Sequence, residues 1–336
     1  MPEKRTEAGP RDSTKPLYFR YAVRIPKRQT IRTIDKVITI KPPRLVKGDV
    51  IGVISPAGPV DESGLQPGLN TLERAGFRVG LSSHAYDKRG YLAGEDTARL
   101  DELHDMFQDK KIKAIFCARG GYGSMRLLDN IRYDLIRKNP KILVGYSDIT
   151  ALLMAIYKMT GLVSIHGPMV GEFSSGHRGN WESLLRLLSS SQPVELNLTQ
   201  GSGLVPGKAT GILLGGNLSL ICHLMGTPFL PPLDGCILFF EEKGEPLYRV
   251  DRMLTHLKLS GRLKGIAGMV AGQFEGCDDR AALEQLFIDR LSDLEIPLAT
   301  GLPVGHGREN RAVPLGVEAE LDVDQMTLSV IDGCVE

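Results

Sequence analysis

Apolar positions along this chain fall into short buried runs that alternate with stretches of helical spacing. Residues 48–60, GDVIGVISPAGPV, read as a buried strand running into a Gly/Pro loop. A helix follows over 63–76, with Leu65, Leu69, Leu72 and Ala75 at helical spacing and Gly76 as its stop. Residues 77–81 predict a second strand. Residues 95–109 predict a helix whose apolar face is Leu100, Leu103, Met106 and Phe107. A third strand over 114–118 ends in RGGYG, and 124–137 reads as mostly helical. Lys141 to Val144, bounded by Pro140 and Gly145, predicts a fourth strand. From Asp148 onward, Leu152, Leu153, Ile156 and Tyr157 recur three to four apart, as in a helix. GLVSIHGPM, 161–169, comes next. Strands alternating with helices imply parallel βαβ units and a doubly wound α/β sheet. Sites in such sheets lie beyond the C-terminal strand ends. SPAGPV, RGGYG, GYSD and IHGPM all fall there and are expected in one crevice.

The alternation breaks over about 172–208, where Gly, Ser and Asn are frequent and one helix, 181–188, is expected. Beyond it a second, mostly β domain is predicted. Its strands are ILFFEE (237–242) and GIAGMVAGQF (265–274), its helices 249–259 and 279–293, and its tail, 315–331, alternates like a hairpin. The expected organisation is an N-terminal extension over 1–43, a parallel-sheet domain over 44–172, a linker over 173–208 and a β-rich domain over 209–336. The extension is basic and rich in proline, which predicts loose order, with short strands possible at 18–25 and 36–40.

Composition narrows the function classes. The 336 residues carry a formal net charge of +1, with 24% charged and 42% hydrophobic residues, the balance of an ordinary soluble protein. Nothing in that balance favours nucleic acid or a membrane surface as the main partner. No signal-peptide pattern or bilayer-length apolar run is found. The five cysteines, 117, 222, 236, 277 and 334, are scattered without C-x-x-C spacing, which fits reduced thiols in a cytoplasm.

Several groups could carry chemistry. Ser147 stands on a strand-to-helix turn, where a hydroxyl is lifted out of the sheet and the next amide, that of Asp148, faces what the serine attacks. The G-x-S-x-G pattern is incomplete, because Ile149 occupies the second glycine position. Serving as a helix N-cap is the common alternative for this serine. The glycines of Arg119-Gly120-Gly121-Tyr122-Gly123 would let backbone N–H groups approach a phosphate or an oxyanion, or form a plain turn. GGN at 215–217 is equally ambiguous. Glu241 and Glu242 end a strand, so one should face the crevice and the other away. His306 lies between glycines with little packing to hold it. A hydroxyl, an imidazole and a carboxylate are what an activated serine requires. The histidines at 84, 104, 166, 177, 223 and 256 show no metal-ligand spacing, and no metal or cofactor is expected. His166 is expected to line the crevice by hydrogen bonding.

Taken together, GDVIGVISPAGPV, GYLAGEDTAR, AIFCARGGYGSMRLL, VGYSDITALL, IHGPM, LLGGNLSL, ILFFEEKGEPLYRVDRML and LPVGHGRENRAVPLG resemble the LD-carboxypeptidases of peptidase family S66, which also holds the microcin C self-immunity peptidases. The likeness spans roughly residues 45–320. It implies a Rossmann-like N-terminal domain, a β-rich C-terminal domain and a homodimer. It also implies a Ser147–His306–Glu241 triad, with an oxyanion hole from the Asp148 N–H and a glycine N–H, that of Gly120 or Gly121. The implied substrate is a murein tetrapeptide, cut before its terminal D-alanine. The alternatives are an immunity-type hydrolase of peptidyl or aminoacyl nucleotides and, from another class, a nucleotide-binding module using RGGYG. Trp181, the chain's single Trp, is expected to be a partly buried helix residue rather than a stacking platform.

Overall fold

The computed structural model describes residues 37–174, 178–198 and 200–336. Two sheets organise them. The first has six strands in the order Val313–Leu315, Ser164–His166, Ile142–Gly145, Ile112–Cys117, Val50–Ile54, Arg78–Leu81. All neighbours are parallel except Val313–Leu315, which runs antiparallel beside Ser164–His166. The four inner strands, Ser164–His166, Ile142–Gly145, Ile112–Cys117 and Val50–Ile54, are almost wholly buried, as strands covered by helices on both faces must be. The second sheet has eight strands in the order Val194–Asn197, Thr327–Val330, Glu318–Asp322, Lys208–Asn217, Cys236–Lys243, Gly268–Glu275, Leu298–Ala299, Gly203–Val205. The fold is therefore mixed α/β, a mostly parallel sheet joined to a second, β-rich one. The expected helices are present with ends shifted by a few residues, at Glu62–Arg74, Asp96–Gln108, Thr150–Thr160, Leu247–Leu259 and Arg280–Leu291.

Two features differ from the sequence reading, and two strands of the second sheet, Val194–Asn197 and Gly203–Val205, fall within the stretch 173–208 read as a linker. The edge strand Val313–Leu315 comes from late in the chain yet joins the early sheet. Its short apolar run carried no signal of which sheet it would join. Residues 124–137 divide into a 3₁₀ segment, Ser124–Asn130, and a short α-helix, Tyr133–Lys138. Of the N-terminal extension, the 18–25 segment lies outside the described residues. Of the 36–40 segment, residues 37–40 are described, and there Ile40 bridges to Leu162, its amide donating to Gly161 O at 2.8 Å.

Because Leu298–Ala299 belongs to the second sheet and Val313–Leu315 to the first, the loop over 300–312 must cross between them. His306 lies on that crossing.

The helix Glu62–Arg74 begins on Asp61, whose Oδ1 accepts from Gly64 N at 2.7 Å. Gly68 then faces the turn Val170–Glu172, and a Cβ there would stand 1.9 Å from Val170 O. That contact admits no side chain, and a backbone carbonyl cannot swing aside as a side chain can. Gly68→Ala is expected to destabilise the protein by roughly 1–3 kcal/mol through overpacking. Urea denaturation checks this, and an unchanged midpoint would contradict the packing described.

Candidate active site

Ser147 follows the strand Ile142–Gly145 with φ of 60°, in the left-handed region. For a residue other than glycine such a conformation costs of order 1–3 kcal/mol and needs its surroundings to hold it. A 3₁₀ turn, Ser147–Ile149, leads into the helix Thr150–Thr160. The missing glycine at 149 has a physical explanation. Ile149 folds back on Gly145, where a Cβ would stand 2.7 Å from Ile149 Cγ2. The space this turn needs is thus made before the serine, not after it. Neither the 3₁₀ turn nor the helix takes a side-chain cap from Ser147. Its Oγ lies 3.0 Å from His306 Nε2 instead.

His306 Nδ1 lies 2.7 Å from Glu241 Oε2. A carboxylate only accepts, so Nδ1 carries the proton and Nε2 is left to accept from the serine hydroxyl. The side chain of Glu241 is fully buried and that of His306 is 10% exposed. Strand alternation separates the two glutamates. Glu241 faces His306, while Glu242 accepts from Asn217 Nδ2 (2.9 Å), Ser219 N (2.8 Å) and Ser219 Oγ (2.8 Å), so that it holds the start of the helix Leu218–Leu224. GGN belongs to the same joint. Gly216 lies against Thr150, and Asn217 N donates to Thr150 Oγ1 at 3.0 Å, which ties the second sheet to the helix behind Ser147.

The glycines around His306 allow close approach. Gly305, at φ 127°, passes so near Glu241 that a Cβ would stand 3.0 Å from Oε2. Gly307 N donates to Gln273 Oε1 at 2.7 Å. Gly305 N donates to Asn310 Oδ1 at 3.2 Å, and Asn310 N to Asn180 Oδ1 at 2.9 Å. Gln273, Asn310 and Asn180 were not singled out from the sequence. Single amides in a strand, a helix or a loop carry no pattern that marks them as supports.

Tyr146 covers the imidazole, with ring centroids 4.9 Å apart, and its hydroxyl donates to Glu172 Oε1. His166 is corrected. It is fully buried between Tyr146 and Phe239, and neither ring nitrogen has a hydrogen-bond partner among the described residues. Burial, aided by the nearby His306, lowers its pKa to about 3, so it stays neutral. The rings of Tyr146 and Phe239 pack against it, so it fills the interior and offers the crevice no hydrogen bond among the described residues. Burial raises the Glu241 carboxyl above its ordinary value, and the hydrogen bond and charge of His306 pull it partly back.

RGGYG lies on the other side of the serine. A Cβ on Gly120 would stand 3.1 Å from Ser147 Cβ and 3.3 Å from its Oγ. Gly120 O accepts from Gly58 N at 2.9 Å, which stacks this loop on the SPAG loop of the first strand. Ser147, Asp148, Gly120 and Gly121 are therefore neighbours. Trp181 is half-buried against Phe173, with ring centroids 4.8 Å apart. A cavity of about 900 Å³ borders the His306 loop at Glu309 and Arg311. Gln273, Arg186 and Glu182 also line it, and the side chains of Ser147, His306 and Glu241 do not. Among the described residues no group of His, Cys, Asp or Glu is placed to hold a metal ion, and no helix is long and apolar enough to cross a membrane.

Comparison with known proteins agrees with this architecture. Residues 51–167 match the LD-carboxypeptidase N-terminal domain and residues 210–321 the LD-carboxypeptidase C-terminal domain. A probable murein peptide carboxypeptidase of Bacillus subtilis is 40% identical over 311 residues, 89% of this chain and 97% of that protein. The murein tetrapeptide carboxypeptidase of Pseudomonas aeruginosa is 34% identical over 290 residues, 82% of this chain and 94% of that protein. Among solved structures, an MccF-like protein from Bacillus anthracis superposes with a TM-score of 0.83 at 30% identity, over 88% of this chain and all of that one. With both domain models and long, near-complete relatives in agreement, this chain belongs to the LD-carboxypeptidase family of peptidases.

Proposed function

We propose that the protein is a serine carboxypeptidase that releases the terminal D-alanine of a murein tetrapeptide by a Ser147–His306–Glu241 triad. The observation that carries this reading is the hydrogen-bonded line from Glu241 Oε2 through both nitrogens of His306 to Ser147 Oγ. The named relatives supply the substrate class.

Ser147 Oγ attacks the scissile carbonyl, and His306 Nε2 takes its proton. Glu241 holds the Nδ1–H and stabilises the imidazolium. The Asp148 N–H and that of Gly120 or Gly121 face the oxyanion, and one such donor contributes about 3–4 kcal/mol. The C–N bond breaks as His306 returns the proton to the departing amine. Water, activated by the same imidazole, then hydrolyses the acyl-serine. The cavity beside the His306 loop, which bears both carboxylates and guanidiniums, suits a peptide carrying charges of both signs.

Purified protein incubated with murein tetrapeptide is expected to release a single D-alanine by mass spectrometry, with Ser147→Ala lowering kcat about 10⁴-fold or more. A parallel incubation with an aminoacyl-nucleotide conjugate tests the immunity-type reaction. Cleavage of the conjugate alone would replace the tetrapeptide reading, and nucleotide binding without turnover of either would favour a binding module.

Glu241 also links activity to stability. Its folded-state pKa is raised from 4.5, so below that value both states are protonated and no cost arises. As pH rises through the raised value the ionised carboxylate must stay buried, so stability falls and the cost is complete above it. Glu241→Gln is therefore expected to raise Tm at about pH 8, with the gain fading below about pH 4.5, while kcat falls by up to about 10⁴-fold. Thermal melts at the two pH values and initial rates check this. A variant less stable than the parent at high pH would contradict it.

A further inference from the structure

The RGGYG segment is gripped by two buried charged side chains that the reaction above does not use. Asp148 is 3% exposed and Arg99 is 1% exposed. Asp148 Oδ2 accepts from Ser124 N at 2.8 Å, and Ser124 Oγ donates back to Asp148 O at 2.6 Å. These two bonds tie the end of the RGGYG segment to the residue after the nucleophile. Arg99 Nη1 donates to Gly123 O at 3.1 Å and to Pro56 O at 2.5 Å, joining the same segment to the loop after the first strand. Gly123 adopts φ of 135°, and a Cβ there would stand 2.8 Å from Arg99 Nη1, so backbone and guanidinium are in direct contact. Asp96 fixes Arg99 in turn. It accepts from Arg99 Nη2 at 2.5 Å and from Arg126 Nε at 2.9 and 3.0 Å.

The segment is thus held at Gly120 by Gly58, at Gly123 by Arg99 and at Ser124 by Asp148. Between these anchors lie the glycine N–H groups expected to face the oxyanion, with Gly120 against Ser147. Buried charges are a costly way to pack a loop, and apolar residues of similar volume often serve stability as well. What a charge-assisted clamp supplies is placement of the backbone to a fraction of an ångström, which electrostatic stabilisation of a transition state requires.

We propose that Asp148 and Arg99 are positioning residues: their side chains fix the RGGYG backbone at the distance from Ser147 at which its N–H groups meet the oxyanion. Asp148 then serves both walls of the hole, one through its own N–H and the other through its carboxylate. The proposal rests on Ser147 being the nucleophile, not on the identity of the peptide.

The test compares Asp148→Asn and Arg99→Lys with the parent. Asparagine keeps the shape but not the charge, and lysine keeps the charge but cannot bridge two carbonyls and Asp96. Each is expected to lower kcat about 10–10³-fold with KM within about threefold. The inhibition constant of a tetrapeptide boronic acid, which forms a tetrahedral adduct on serine, should rise by the same factor, with product-tripeptide affinity unchanged. A merely structural role would lower Tm and the titratable fraction of active sites while leaving kcat per active site and the boronate constant at parental values, and that result overturns the proposal. If either variant fails to fold, Asp96→Asn carries the test, since it keeps both buried side chains and weakens the pair that fixes Arg99, and it should show the same split with a smaller, about tenfold, loss. A p-nitrophenyl ester as acyl donor keeps these rates measurable even if the tetrapeptide proves not to be the substrate.

Discussion

The line of hydrogen bonds from Glu241 through His306 to Ser147 spans two sheets that pair their strands separately. Its geometry exists only while the first sheet, which presents Ser147, and the second, which presents Glu241, keep their separation to within the reach of one imidazole. Much of the surrounding structure answers that constraint. The loop over 300–312 leaves the second sheet at Leu298–Ala299 and enters the first at Val313–Leu315, so the residue that closes the line is carried by the segment that joins the sheets. Asn217 on Thr150 ties the same sheets from another side.

Local strain and electrostatics follow from the same demand. Ser147 is held in a left-handed conformation, and Glu241 is ionisable yet wholly buried, with Oε1 unpartnered among the described residues. Both are unfavourable for folding taken alone. The neighbours that compensate are specific: Gly145 makes room for Ile149, Gly305 lets the loop backbone reach Glu241, and His306 supplies the hydrogen bond and charge that lower the carboxyl from where burial would leave it. The RGGYG segment, held to Ser147 by Asp148 and Arg99, extends this pattern to the wall opposite the imidazole.

How far the sequence could be read depended on the range of the interaction behind each feature. Buried strands and amphipathic helices leave local periodicities, so the parallel sheet and most helices were legible. The candidate site residues were legible because each sits at a strand end or in a glycine-flanked loop. Pairings set by distant packing were not. Nothing in VPL, 313–315, says that it crosses to the early sheet, and nothing near His166 says that Tyr146 and Phe239 enclose it. The glycine missing at 149 made the Ser147 turn look weaker than it is, because the compensating glycine, Gly145, works through Ile149 rather than through the motif. Gln273, Asn180 and Asn310 act by single hydrogen bonds across long sequence separations, which no local pattern records.

The most direct test of the account is the site of covalent capture by a serine-directed phosphonate. Native protein would be treated with a fluorophosphonate, digested and mapped by tandem mass spectrometry, beside protein unfolded in urea before treatment. A single adduct on Ser147 that depends on the native fold and is lost in His306→Ala is the predicted result. Native protein left unlabelled at Ser147, or labelled there equally after unfolding, would contradict the claim that the fold assembles an activated serine.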